Sequence, residues 1–251
     1  MNNVLEKHVS KIPEITLMFW GIKIAATTLG ETAGDTVTMS MNVGYLIGTA
    51  IFALIFLATV TCQIAAKRFH PSLYWTVIVA TTTTGTTLAD FADRSLGIGY
   101  AGGSTLLLLL LLASLGLWYW SQGSVSVKTM TSRKAELFYW ITILFSQTLG
   151  TALGDWIADT TGLGYGLGAL VFAAGLAVVA IAYYWTTLSR TFLFWTAFIL
   201  TRPLGATVGD FLDKPLAHGG LALSRSSASA VLAGVIIACI IFLPQKAEKG
   251  S

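Results

Sequence analysis

Charge is scarce in this sequence: Asp, Glu, Lys and Arg make up 11% of its 251 residues, against 55% hydrophobic residues. A soluble domain carries charge on about a quarter of its residues, so that class is excluded. Cysteine occurs only twice, at Cys62 and Cys239, without a Cys-x-x-Cys pair. Both are expected as buried free thiols in apolar helices, not as a disulfide or a thiolate metal centre. There are three histidines, and no His or Cys pair stands near the acidic motifs described below, which argues against bound zinc or copper. Nothing resembles a phosphate-binding loop, so ATP is excluded as a direct source of energy. A net charge of +3 is too small to suggest a nucleic-acid partner.

Apolar length is what the chain has in abundance. Its mean hydropathy is +0.73, and runs such as 43–61, 105–120, 164–185 and 228–243 approach or reach the length needed to cross about 30 Å of hydrocarbon. The expected fold class is an all-α integral membrane protein of about eight transmembrane helices. The basic residues Lys7, Lys11, Lys67, Arg68, Lys128, Arg133, Lys134, Arg190, Lys246 and Lys249 fall in the termini and in every second connection, while the alternate connections hold Arg94, Lys214 and Arg225. This bias places both termini of a multi-pass membrane protein in the cytoplasm. Residues 1–11 are polar and lead straight into a span, so no cleaved signal peptide is expected. Residues 249–251 are set aside as a remnant outside the fold.

One pattern occurs four times: a Trp, a Gly ten residues on, and an Asp fifteen residues on. The copies are Trp20/Gly30/Asp35, Trp75/Gly85/Asp90, Trp140/Gly150/Asp155 and Trp195/Gly205/Asp210, separated by 55, 65 and 55 residues. Such spacing marks a duplication that was itself duplicated. The halves are expected at 1–121 and 136–245, joined by a cytoplasmic linker at 122–135. Each copy reads as a helical hairpin of two spans, all four in one orientation about an axis along the membrane normal. The first helix of each copy belongs inside and the second outside. Pro71 opens one helix, and Pro203 predicts a kink in another.

A second small residue follows each motif glycine, giving Gly30/Gly34, Gly85/Ala89, Gly150/Gly154 and Gly205/Gly209. One helical turn apart, these pairs allow helix backbones to approach closely in lipid. Each copy also ends in two carboxylates: Glu31 and Asp35, Asp90 and Asp93, Asp155 and Asp159, Asp210 and Asp213. Eight of twelve acidic residues are therefore committed to the motifs.

Counting back from each aspartate in steps of four traces one helix face. The faces read Lys23, Thr27, Glu31, Asp35; Ile78, Thr82, Thr86, Asp90; Ile143, Gln147, Thr151, Asp155; and Phe198, Arg202, Ala206, Asp210. Charges at membrane depth cost about 3 kcal/mol each on insertion scales, so the four polar stripes are expected to converge on a shared interior. Threonines 81–84 are expected to bond back to their own helix. Lys23, Arg94, Arg202 and Lys214 are too few to neutralise eight acids, which points to bound cations or protons. Lys23 and Arg202, present once each, are expected as internal counter-charges. Oxygen donors of this kind suit Mg, Ca or Mn. His218 reads as a residue of an outer loop.

On Gly34-Asp35, Ala89-Asp90, Gly154-Asp155 and Gly209-Asp210 the chain resembles a bacterial family of uncharacterised membrane-anchored proteins with repeated Gly-Asp motifs. More distantly it is similar to manganese and calcium exporters with a Glu-x-Gly-Asp signature, although Glu31 stands one residue further out and Thr86, Thr151 and Ala206 replace it elsewhere. The resemblance implies manganese as the first ion to consider. The expected function is secondary transport of a divalent cation, with manganese exported in exchange for protons and no organic cofactor. The alternatives are a cation channel, or a membrane scaffold or sensor whose acids hold structural ions. An intramembrane aspartyl protease would need Gly-x-Gly-Asp, and Thr32, Thr87, Ala152 and Thr207 stand where its first glycine would be; no enzymatic activity is expected. The expected partners are the lipid bilayer, the metal cation and protons, with homodimer formation through the second helices open.

Overall fold

The structure, a computed structural model, describes residues 10–130 and 132–248. Lys7 and residues 249–251 lie outside them. Among the described residues there are eight α-helices: α1 (Leu17–Asp35), α2 (Tyr45–Ala65), α3 (Pro71–Asp90), α4 (Tyr100–Gln122), α5 (Arg133–Asp155), α6 (Gly164–Trp185), α7 (Arg190–Asp213) and α8 (Arg225–Phe242). Side chains of Thr16, Ser132, Ser189 and Ser224 cap α1, α5, α7 and α8, satisfying amide groups that have no partner inside a helix. Pro71 occupies the first turn of α3. α7 remains one helix through Pro203.

Three motif aspartates, Asp35, Asp90 and Asp155, are the last residues of their α-helices, and each helix runs on into one π-helical turn. The fourth, Asp210, lies within α7, which ends at Asp213. The odd-numbered helices form a closed inner ring in which α1 packs on α3, α3 on α5, α5 on α7 and α7 on α1. The even-numbered helices lie outside. Their exposed residues include Leu54, Leu109, Leu170 and Ile241, an apolar coat that hydrocarbon can cover.

The expected hairpin packing needs correction. α2 packs on α3, α4 on α5, α6 on α7, and α8 closes the circle on α1, while the two helices of one copy barely touch. The reason lies in the connections. Residues 66–70 and 186–189 are too short to let consecutive helices separate, whereas longer connections, with a π turn in the first three copies, stand between the two helices of one copy. The expected buried state of Cys62 also needs correction: both thiols are free, but Cys62 is exposed on α2, because this outer helix buries only a narrow stripe. Between the halves, α4 ends at Gln122 and α5 starts at Arg133.

Six helices are long and apolar enough to cross a membrane by length and composition: α2, α4, α5, α6, α7 and α8. α1 and α3, of 19 and 20 residues, have the length to match at 1.5 Å per residue. Their polar content is covered by protein. A clasp completes the circle: Glu14 N–H donates to the Lys246 carbonyl at 2.9 Å, and Glu248 N–H to the Ile12 carbonyl at 2.8 Å. Lys11 ties this clasp to α2 through the carbonyls of Gln63, Ile64 and Ala66, and to α5 through Glu136 at 2.7 Å.

Candidate functional site

The site is assembled by the motif glycines. A side chain at Gly30 would collide with Thr82, at Gly85 with the backbone of Gln147, at Gly150 with Arg202, and at Gly205 with Thr27. Every motif glycine therefore receives the stripe residue of the next copy, and α7 passes its contact back to α1. One turn on, Gly34 receives Thr86, Gly154 receives Ala206, and Gly209 receives Glu31. Absent side chains on one helix make room for polar stems on its neighbour, whose heads are thereby fixed along the axis.

Equivalent positions stack as layers. Farthest from the acids, Phe19, Tyr74, Tyr139 and Phe194 lie beside the motif tryptophans of the following copies: Phe19 against Trp75 at 5.5 Å, Tyr74 against Trp140 at 5.8 Å, Tyr139 against Trp195 at 6.2 Å and Phe194 against Trp20 at 5.9 Å. This ring explains the Trp of the motif, and it closes one end of the axis. The Tyr74 and Tyr139 hydroxyls satisfy each other at 2.8 Å. Next come Lys23, Ile78, Ile143 and Phe198, all buried, with the Lys23 ammonium 4.0 Å above the Phe198 ring. The third layer is Thr27, Thr82, Gln147 and Arg202; the fourth is Glu31, Thr86, Thr151 and Ala206; the fifth holds Asp35, Asp90, Asp155 and Asp210, and every one of these residues is buried.

Arg202 is the hub of the middle layers. Its Nη2 donates to Glu31 at 3.0 Å, to the Thr86 hydroxyl at 2.5 Å and to the Thr151 hydroxyl, so one guanidinium group joins all four inner helices. Lys23, the other expected counter-charge, is 3.4 Å from the Thr201 hydroxyl, and no ion pair joins it to Glu31.

The aspartate layer is clamped in two pairs. Arg94 bridges Asp90 at 2.9 Å and Asp155 at 3.2 Å, joining the second copy to the third. Lys214 bridges Asp210 at 2.8 Å and Asp35 at 2.9 Å, joining the fourth to the first. The two clamps are equivalent under the doubled duplication. Burial works against the Lys214 ammonium, but Asp210 and Asp35 outweigh it and raise its pKa above the ordinary lysine range. Arg225 adds contacts to Asp213 at 3.2 Å and Asp35 at 3.7 Å.

Six of the eight expected acids converge here: Glu31, Asp35, Asp90, Asp155, Asp210 and Asp213. Two do not. Asp159 is exposed and accepts from Tyr100 and Tyr165, each at 2.9 Å, and Asp93 sits against Gly103 at the edge of α4. Their π turns rotate them off the face that carries Asp155 and Asp90. Arg225 was absent from the expected cations because it follows a loop and matches no repeat spacing. Arg94 and Lys214 each stand four residues after a motif aspartate, and that spacing signals the clamps.

Two carboxylate triads have ligand-competent oxygens within 4.8 Å of one another: Glu31, Asp35 and Asp90, and Asp35, Asp210 and Asp213. Oxygens on opposite sides of an ion bound at about 2.1–2.4 Å stand about 4.2–4.8 Å apart, so either triad fits one hard divalent ion. Asp35 belongs to both, and its Oδ1 is buried without a hydrogen-bond partner.

A ring of polar-cored helices inside an apolar coat defines a polytopic helical membrane protein with a buried acidic centre. Residues 18–69, 73–124, 138–189 and 193–244 match the repeat of unknown function DUF347, one match per copy, and the chain belongs to that family. No curated protein and no solved structure matches it. The likeness to Glu-x-Gly-Asp exporters finds no support in these comparisons.

Proposed function

We propose that this chain is a secondary transporter that moves a divalent metal cation across the membrane in exchange for protons, with manganese as the first ion and export as the direction. One observation carries the reading: six buried carboxylates share their layers with four cations, Arg94, Arg202, Lys214 and Arg225. The two uncompensated negative charges equal the charge of one divalent ion. Burying them without an ion or protons is costly.

In this mechanism the protein's own cations hold the acids while no substrate is bound. An incoming ion competes with Lys214 for Asp35 and Asp210, or with Arg94 for Asp90. When the ion leaves, the exposed carboxylates take up protons or recover their clamps. Thr86 and Thr151 keep Glu31 and Arg202 in register through the cycle. The aromatic ring closes the far end of the axis, which supports alternating access rather than an open channel. Lys11, Lys67, Arg68, Lys128, Arg133 and Arg190 lie towards that end, and this bias supports reading it as the cytoplasmic side of a bacterial inner membrane.

The competing reading is a scaffold, favoured by the ion-pair partner that each motif aspartate has. Flux separates the two. Purified protein in sealed vesicles should move Mn down its gradient with opposite proton movement, and Asp35→Asn should abolish both. Absence of any Mn, Ca or Mg flux from folded wild-type protein would leave the scaffold reading.

A further inference from the structure

The layer of Thr27, Thr82, Gln147 and Arg202 lies one turn further from the acids than Glu31. Four equivalent positions, one per copy, lie at this level, each packed against a motif glycine of the neighbouring inner helix. Three of them keep buried polar atoms without a partner: the Thr82 hydroxyl, both ends of the Gln147 amide, and Nε and Nη1 of Arg202. Thr82 is conspicuous within its own helix. Its neighbours Thr81, Thr83, Thr84, Thr86 and Thr87 all donate back to carbonyls of α3, while Thr82 does not use that outlet. Buried polar groups left this way cost about 1–3 kcal/mol each, so three residues with such groups at one level call for an occupant.

The chemistry of that occupant follows from the donors. Arg202 supplies N–H groups from two nitrogens, Gln147 an NH2 group and Thr82 a hydroxyl, so donors outnumber acceptors. One turn below, the buried Lys23 ammonium has the long 3.4 Å contact to Thr201 and the Phe198 ring as its neighbours. Arg202 already has Glu31 as its carboxylate on Nη2, so its Nε and Nη1 edge is the part left for an incoming acceptor.

We propose that this layer is a second binding site, for a small monovalent inorganic anion of the chloride class, held by Arg202, Gln147 and Thr82. It is separate from the aspartate layer, with the Glu31 level between them. The anion fixes the Arg202 guanidinium group from the side that Glu31 does not reach.

The test uses the full chain in detergent at constant ionic strength, with gluconate replaced stepwise by chloride or bromide. The unfolding temperature should rise and saturate with either halide. Thr82→Val and Gln147→Leu, which keep side-chain volume, should each shift the halide midpoint upward by about tenfold or more, the loss of one hydrogen bond to a charged group. Asp35→Asn should keep the halide response, so failure of the cation reading leaves this one standing. A wild-type unfolding temperature indifferent to halide, or a midpoint unchanged in both variants, overturns the proposal. Should neither variant fold, bromide-soaked wild-type crystals decide: an anomalous peak between Gln147 and Arg202 supports the site, and water alone overturns it.

Discussion

Arg202 of α7 donates to Glu31 of α1 across 3.0 Å at the centre of the bundle, joining the last copy of the repeat to the first. Arg202 is fully buried, so its charge is supported only by what surrounds it. Removing one partner of such a pair leaves an uncompensated charge and costs about 3–5 kcal/mol, whereas replacing both is far milder. Arg202→Met and Glu31→Gln should therefore each lower stability in detergent by that amount. The double variant should recover a large part of the loss. Thermal unfolding of the four proteins measures the coupling, and strictly additive losses would show that the pair is not a unit.

The glycine contacts predict a contrast between two kinds of position. A methyl group at Gly85 would stand 2.9 Å from the backbone of Gln147, which cannot rotate away, while nothing lies within 4 Å of one at Gly116. Gly85→Ala should cost about 1–3 kcal/mol through forced separation of α3 and α5. Gly116→Ala should be neutral or stabilise by up to about 1 kcal/mol, because glycine is a poor helix former. Unfolding of the two variants side by side tests whether the motif glycines act through space for the neighbouring helix.

Much of this architecture was legible in the residues themselves. The recurring Trp, Gly and Asp mark the four copies, and four-residue steps back from Asp35, Asp90, Asp155 and Asp210 name the layers that the structure stacks. What could not be read was which helix meets which. Outer helices such as α2 and α6 are apolar over most of their surface, so periodicity does not mark one neighbour over another. The partner of Asp213 was equally hidden: Arg225 lies 12 residues away across a loop, and ion pairs of that kind follow from three-dimensional closure alone. The aromatic ring had a signal that went unused, since Phe19, Tyr74, Tyr139 and Phe194 each immediately precede a motif tryptophan.

Lys214 offers a test with opposite signs in the absence and presence of metal. It holds Asp210 at 2.8 Å and Asp35 at 2.9 Å, so Lys214→Met leaves two buried carboxylates facing each other. Without metal the variant should be less stable than wild type by about 3–5 kcal/mol. With the competing ammonium gone, a divalent ion should bind about tenfold or more tightly and restore the loss by mass action. Unfolding temperature against Mn concentration reads both effects. A variant destabilised equally at all Mn concentrations would mean that Lys214 and the ion do not share ligands.

Asp35 and Asp159 should separate the site from its surroundings. Each is the second carboxylate of its copy, but Asp35 is buried and common to both triads, while Asp159 is exposed and bonded to two tyrosines. Asp35→Asn removes a ligand from either possible ion position and one negative charge from the layer. Mn-dependent stabilisation should fall at least tenfold in midpoint, as expected for about 1.4 kcal/mol or more of lost binding energy. Asp159→Asn still accepts from one tyrosine through its amide oxygen and can donate to the hydroxyl oxygen of the other through its amide nitrogen, so its Mn midpoint should match wild type. Equal effects from the two changes would place the ion outside the aspartate layer, at the rim where the π turn of the third copy carries Asp159 towards solvent.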